Sequence, residues 1–276
     1  MRKRLLSLIL IFLILFGACA AHAETVSVYR SLCVGISSYA DGRTRQGGKN
    51  SVQGVYDALA RAFGGRNSVE STLLMDLTRE ELLLAIEDAF RDADDNDVSI
   101  LYLGGHGGAQ GGISWVETAD NDVLTAGELE RVTRSISGRV ILLIDCCNSG
   151  SFIGETGFSE GFNAAFSMNS FSRDKYLVLT SCAGNENSYR VTSGEMTEQS
   201  MSTAFSRALC EGLGWDLIND KSISLRSDKN RDRMVNFTEL ILYTRERTMY
   251  YLYGSGIRQS VCAFPDSDAF LLASRR

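Results

Sequence analysis

The run Val140-Ile141-Leu142-Leu143-Ile144 stops abruptly at Asp145-Cys146-Cys147-Asn148-Ser149-Gly150. Five consecutive apolar residues rich in β-branching read as a strand buried on both faces. An acid, two thiols and small turn-forming residues follow where the rigid strand ends. A second stretch has the same form: Val98-Ser99-Ile100-Leu101-Tyr102-Leu103, then Gly104-Gly105-His106-Gly107-Gly108. Where helical crossovers join strands, successive strands run parallel. Both stretches would then deliver their last residues to one carboxyl edge, where ligands bind in such sheets. A histidine and a thiol are therefore expected together.

Strand-like and helix-like signals alternate outward from these stretches. Val26 to Ile36 suits a first central strand. Asn50 or Ser51 is placed to cap a helix with apolar face Val52, Val55, Leu59 and Phe63, stopped by Gly64-Gly65. Val69 to Met75 predicts a second strand. Thr78 with Glu81, and Thr125 with Glu128, form capping boxes. They open helices carrying Leu82, Leu83, Ile86 and Phe90, and Leu129, Val132 and Ile136. Ile113 to Val116 predicts a small hairpin beside His106. Ser151 to Asp174 is long, polar and weakly periodic. Tyr176 to Thr180 resumes as a strand, followed by Ser181-Cys182-Ala183-Gly184-Asn185-Glu186 at the same edge. A polar loop from Ser188 to Glu198 precedes a helix with Phe205, Leu209 and Leu213. A helix from Phe237 toward Tyr251 and a closing strand near Ser260 to Phe264 complete the chain. This alternation indicates an α/β domain, doubly wound, with a mostly parallel central sheet flanked by helices.

The 276 residues, 44% hydrophobic and 22% charged, suffice for one large domain. Arg2-Lys3-Arg4, an apolar run from Leu5 to Phe16 and the small residues ending Ala21-His22-Ala23 have the form of a secretory signal peptide over residues 1–23. A single domain over 24–276, exported to a periplasmic or secreted location, is expected. Phe16-Gly17-Ala18-Cys19 is the weaker alternative, a lipoprotein box that would anchor the chain through Cys19. No other apolar run approaches the length of a membrane span. Removing three cations and no acid takes the net charge from −6 to −9, which argues against a nucleic-acid partner. The trimmed chain keeps one histidine, His106, and six cysteines: Cys33, Cys146, Cys147, Cys182, Cys210 and Cys262. They are scattered singly through core-like segments, apart from one adjacent pair, and most read as small buried hydrophobes.

A thiol cleaves peptides when an imidazole helps it ionise and protonates the leaving amine, and when backbone N–H groups bind the tetrahedral oxyanion. Gly107 and Cys147 are the candidates for those N–H groups. The segments Leu101-Tyr102-Leu103-Gly104-Gly105-His106-Gly107 and Ile144-Asp145-Cys146-Cys147-Asn148-Ser149-Gly150 resemble the His-Gly and Asp-x-Cys-x-Ser-Gly blocks of caspase-like cysteine peptidases. That group includes caspases, metacaspases, clostripain and legumain, and the resemblance is greatest to the bacterial clostripain and metacaspase-like branches. It implies a caspase-type fold and an endopeptidase acting through a His106/Cys147 dyad, with Cys147 as nucleophile and Cys146 as its inward neighbour. It also implies that Asp145 lines the S1 pocket for a basic P1 side chain, with Glu186 as the second acid. Peptide or protein substrates cut after Arg or Lys, a monomeric enzyme needing no cofactor, and self-processing at Arg173, Lys175 or Arg190 complete this expectation.

Asp228 to Glu239 matches the spacing of a twelve-residue calcium loop. The side chains of Asp228, Asn230, Asp232, Asn236 and Glu239 would be Ca2+ ligands, with Arg233 where glycine is usual. The competing reading is a helix-capping loop, with Asn236 and Glu239 forming the box. Other chemistries compete less well. Ser149 has no histidine separate from that of Cys147. A zinc set of Cys146, Cys147, Cys182 and His106 lacks the usual spaced cysteine pair. A Cys-x-x-Cys redox motif is absent. A non-catalytic exported binding domain on the same scaffold is the rival of a different class.

Overall fold

The computed structural model describes residues 27–45, 47–63, 68–111, 113–153 and 175–274. The signal peptide and Cys19, the Gly64-Gly65 stop, most of the Ser151 to Asp174 segment and Arg173 lie outside them. A six-stranded sheet forms the centre. Its strands are β1 (Val28–Gly35), β2 (Ser68–Met75), β3 (Val98–Gly104), β7 (Arg139–Asp145), β8 (Tyr176–Thr180) and β14 (Cys262–Phe264), in the order β14-β8-β7-β3-β1-β2. All neighbours are parallel except β14, which runs antiparallel to β8. The chain winds from β1 out to β2, then back across to β3 and onward. The winding thus reverses beside β1 and β3, the place where open α/β sheets form a crevice.

Residue alternation along the buried strands sends side chains to two separate cores. On one face Cys33, Ile100, Tyr102, Ile141 and Leu143 pack against α1 (Gly48–Ala62), α4 (Ala204–Gly212) and α5 (Phe237–Tyr251). On the other, Leu32, Leu101, Leu103, Leu142 and Ile144 pack against α2 (Arg79–Phe90) and α3 (Ala126–Arg134). After β3 comes a small antiparallel sheet of β4 (Gly107–Gln110), β5 (Ile113–Glu117) and β6 (Val123–Thr125), which encloses the expected hairpin. Among the described residues no helix is long and apolar enough to cross a membrane.

The two capping boxes form as their spacing requires. Thr78 accepts from the Glu81 N–H and Thr125 from the Glu128 N–H, and each glutamate reaches back to the cap. A third box joins Asn236 and Glu239 at the start of α5. The first helix departs from expectation. It begins at Gly48 after Gly47 in the left-handed conformation, φ 74°, with no side-chain cap. Asn50 does not cap it, because its amide donates to the carbonyls of Gln199 and Met201, and Ser51 Oγ bonds back to the Gly47 carbonyl. The segment read as a polar loop contains β9 (Arg190–Thr192), which pairs with β10 (Met201–Thr203) just beyond it, and β10 leads directly into α4. These pairing partners are too polar to show as strands in the sequence. The two-residue strands β11 (Trp215–Asp216) and β12 (Lys221–Ser222), and β13 (Met234–Asn236) with β15 (Leu271–Ser274), complete the chain.

Replacing Asn236 with alanine removes the side-chain half of the third box, the acceptor for the Glu239 N–H, and leaves the backbone N–H that donates to the Glu239 carboxylate. The expected cost is about 1 kcal/mol, seen in thermal denaturation as a fall of about 2–4 °C in midpoint for a chain of this size. An unchanged midpoint would show that α5 does not depend on its cap.

Candidate active site

The candidate residues leave the sheet together. β3 and β7 pair in parallel with Gly104 opposite Asp145, and the Gly105 N–H donates to the Asp145 carbonyl at 3.2 Å. His106 and Cys147 each follow two residues beyond that last pair. Gly107 is needed for their approach. A Cβ there would lie 2.5 Å from Cys146 Sγ, so the histidine loop packs its bare backbone against the residue preceding Cys147.

Strand alternation separates the three residues Asp145, Cys146 and Cys147. Cys146 points into the core with Ile144 and is fully buried, and burial pushes its thiol well above the ordinary range. Asp145 points to the opposite face. Its carboxylate, also fully buried, accepts hydrogen bonds from Tyr102 Oη at 2.8 Å, Ser188 Oγ at 2.9 Å and the Thr203 hydroxyl. No cation of the chain forms a salt bridge to it among the described residues. Cys147 lies beyond the strand and is partly exposed.

The turn after Cys147 is held against the end of β8. Asn148 takes the left-handed conformation, φ 58°, donates its N–H to the Glu186 carbonyl and its amide to the Gly184 carbonyl. Ser149 is buried and bonded to Ser181 Oγ and the Cys182 N–H, which removes it from nucleophilic duty. Gly150 permits contact with the next loop, since a Cβ would fall 2.7 Å from the Cys182 carbonyl and the Gly184 nitrogen. All six described cysteines are free thiols, five of them buried.

His106 is gripped through its backbone. Its N–H donates to Tyr39 Oη at 2.9 Å and its carbonyl accepts from the Glu117 N–H at 2.9 Å. Burial lowers the imidazole pKa below its ordinary value, and Arg45, Arg43 and Arg190 lower it further against the opposing charge of Glu117. Arg45 also acts on Tyr102 and Cys146. It lines a cavity of about 200 Å3 with Ser37, Ser38, Thr44, Lys49 and Glu198, at the ends of β1 and the loop beyond. Tyr39, Arg45, Ser188 and Thr203 were not singled out from the sequence as part of this site. The available signal was position: Tyr39 and Arg45 follow β1 at the same carboxyl edge.

Other expected residues fall elsewhere. The Glu186 carboxylate is spent on the N–H and hydroxyl of Ser260, on Arg258 at 3.1 Å and on the Ala183 N–H, and none of its described bonds reaches Asp145. Arg258 and Ser260 arrive from beyond α5, too far along the chain for the local pattern to reveal them. In the Asp228 loop, the Asp228 carboxylate accepts from the N–H groups of Asp232 and Arg233, Asn230 Oδ1 accepts from Asp232 N–H, and Asp232 from Met234 N–H. Asn236 and Glu239 are committed to the cap of α5. Arg233 takes φ 66°, the left-handed conformation usual for glycine there. Among the described residues no group of three or more His, Cys, Asp or Glu side chains converges to hold a metal. Of the basic residues expected as self-processing points, Lys175 donates its ammonium to the Arg134 carbonyl at 2.7 Å, and Arg190 is exposed at the start of β9.

Comparison with known proteins agrees with this architecture. Among solved structures, caspase-1 from Spodoptera frugiperda superposes with a TM-score of 0.60 at 12% identity, covering 90% of each chain. Protein GSU0716 from Geobacter sulfurreducens superposes with a TM-score of 0.55 at 13% identity, covering 90% of this chain and 94% of that one. At such identities the likeness is one of fold. No curated protein matches the sequence. A family model described as the caspase domain matches residues 30–239, most of the sequence, and the chain belongs to that caspase family of cysteine peptidase-type hydrolases.

Proposed function

We propose that the chain is an exported, monomeric cysteine endopeptidase in which Cys147 is the nucleophile and His106 the acid–base group. The observation that carries this reading is the β3/β7 register, with Gly104 opposite Asp145, from which both residues emerge at one edge. Cys147 is the partly exposed thiol beside that edge, whereas Cys146 and Cys182 are buried with raised pKa values, that of Cys182 to about 11.

In this mechanism His106 takes the thiol proton as the sulfur attacks the scissile carbonyl and a C–S bond forms. The oxyanion is bound by the N–H groups of Gly107 and Cys147. The ladder supports Gly107 in that role: His106 is the hydrogen-bonded partner of Glu117, so the next residue turns its N–H away from β5. The imidazolium then protonates the amine as the C–N bond breaks. Water, deprotonated by His106, hydrolyses the acyl-enzyme. Asp145 would pair with the basic P1 side chain, because its hydroxyl cage holds a buried carboxylate without supplying a cation. A second reading, an acidic P1 residue, draws on Arg45, whose charge reaches His106, Tyr102 and Cys146. Export rests on the leader of residues 1–23.

An acyloxymethyl ketone directed by Arg or Lys should label the wild type and Cys146→Ala, and fail to label Cys147→Ala. Labelling that survives in Cys147→Ala would overturn the assignment. In a P1 peptide library, Asp145→Asn should lower cleavage after Arg and Lys by about 10- to 100-fold, the loss of one charged hydrogen-bonded pair, while Arg45→Ala retains it. Loss of an acidic preference in Arg45→Ala would establish the second reading instead. The base must be neutral to act, so kcat/KM should rise with pH through the His106 pKa. Because burial and the arginines lower that pKa, the acid limb should lie below the ordinary histidine value of about 6.5. A limb above it would contradict the environment described for His106.

A further inference from the structure

We propose that Tyr39 is a positioning residue for His106, an inference that rests on His106 being the acid–base group of the peptidase. Tyr39 follows β1 and is 5% exposed. Its hydroxyl has two partners. It donates to the Ile36 carbonyl at 3.2 Å and accepts the His106 N–H at 2.9 Å. Burial raises the phenol to about pKa 12, so its single proton stays in place through the working range and the direction of both bonds is fixed.

The same side chain also sets the imidazole. The two ring centroids are 5.0 Å apart with planes inclined by 38°, so Tyr39 covers part of the histidine and excludes water from it. Tyr39 is itself braced. The Arg43 guanidinium lies 5.1 Å from its ring centroid and is clamped by Asp41 and Glu117. Glu117 in turn donates its backbone N–H to the His106 carbonyl. The brace therefore closes on itself: Tyr39 holds the amide before the imidazole, Glu117 holds the carbonyl after it, and Arg43 joins the two holders. Both hydroxyl bonds go to the main chain, and one of them fixes the amide of the histidine left after the leader. The charged groups acting on the imidazole include Arg43, Arg45, Glu117 and Arg190, and the titratable groups beside it are Tyr39 and, in the proposed dyad, Cys147.

The test compares Tyr39→Phe, which keeps the ring, with Tyr39→Leu, which loses ring and hydroxyl, in the chain from residue 24 onward. His106 is then the only histidine, so its ring resonances can be titrated by NMR without assignment. Tyr39→Phe should lower kcat about tenfold with KM unchanged. Tyr39→Leu should lower it about 100-fold, the scale for a misplaced catalytic group. In Tyr39→Leu the His106 midpoint should also move up toward the ordinary value, because the covering ring is gone, whereas Tyr39→Phe keeps the depressed midpoint. A Val132→Ala core variant, matched for loss of melting temperature, should move neither quantity. Should Tyr39→Leu fail to fold, the kcat of Tyr39→Phe decides. Turnover within twofold of wild type in Tyr39→Phe, loss confined to KM, or an unmoved His106 midpoint in folded Tyr39→Leu would overturn the positioning role. Activity that survives in His106→Ala would instead sink the dyad, and the titration would still report whether Tyr39 sets the ring.

Discussion

Parallel pairing between β3 and β7 is the constraint on which the site depends. Their ladder runs from Val98 opposite Arg139 to Gly104 opposite Asp145. Apart from the half-buried Arg139, both strands are buried along their length, so a shift of one residue would send two sets of apolar side chains to the wrong core. Burial therefore locks the register, and the register decides where the chain is released into the loops that bear His106 and Cys147. The chemistry at the edge is specified by packing in the middle of the sheet.

Alternation then divides the residues at the end of β7. Asp145 continues the face of Ile141 and Leu143, where Tyr102 and the cap of α4 meet it. Cys146 continues the face of Ile144 and is sealed by Gly107. Three consecutive residues thus enter three environments: a carboxylate caged by hydroxyls, an inert core thiol and a thiol at the surface. Arg43, Arg45 and Arg190 are the cations acting on His106. This favours a neutral imidazole at neutral pH.

The loops work as fasteners between elements. Asn148, Ser149 and Gly150 bind the turn of Cys147 to the loop after β8, and Glu186 fastens that loop to Ser260 and Arg258. Glu186 thus fastens through its carboxylate, while its carbonyl accepts the N–H of Asn148 next to Cys147. Tyr39 and Arg43 do the corresponding work for the histidine loop.

The sequence by itself determined the elements whose causes are local. Apolar runs marked β3 and β7, and residues three apart marked the boxes at Thr78, Thr125 and Asn236. The abrupt change to polar and glycine residues marked the two strand ends that carry His106 and Cys147. Only the tertiary structure decided the partners. Tyr39 meets His106 across 67 residues, Thr203 meets Asp145 across 58, and Ser260 meets Glu186 across 74. The start of α1 was misplaced for the same reason, since Asn50 is drawn to carbonyls about 150 residues away. Periodicity and capping act within one or two turns of chain, so they can be read directly. Which distant side chain completes a buried carboxylate or braces an imidazole depends on how the crossovers stack the helices, and no short stretch of sequence contains that geometry.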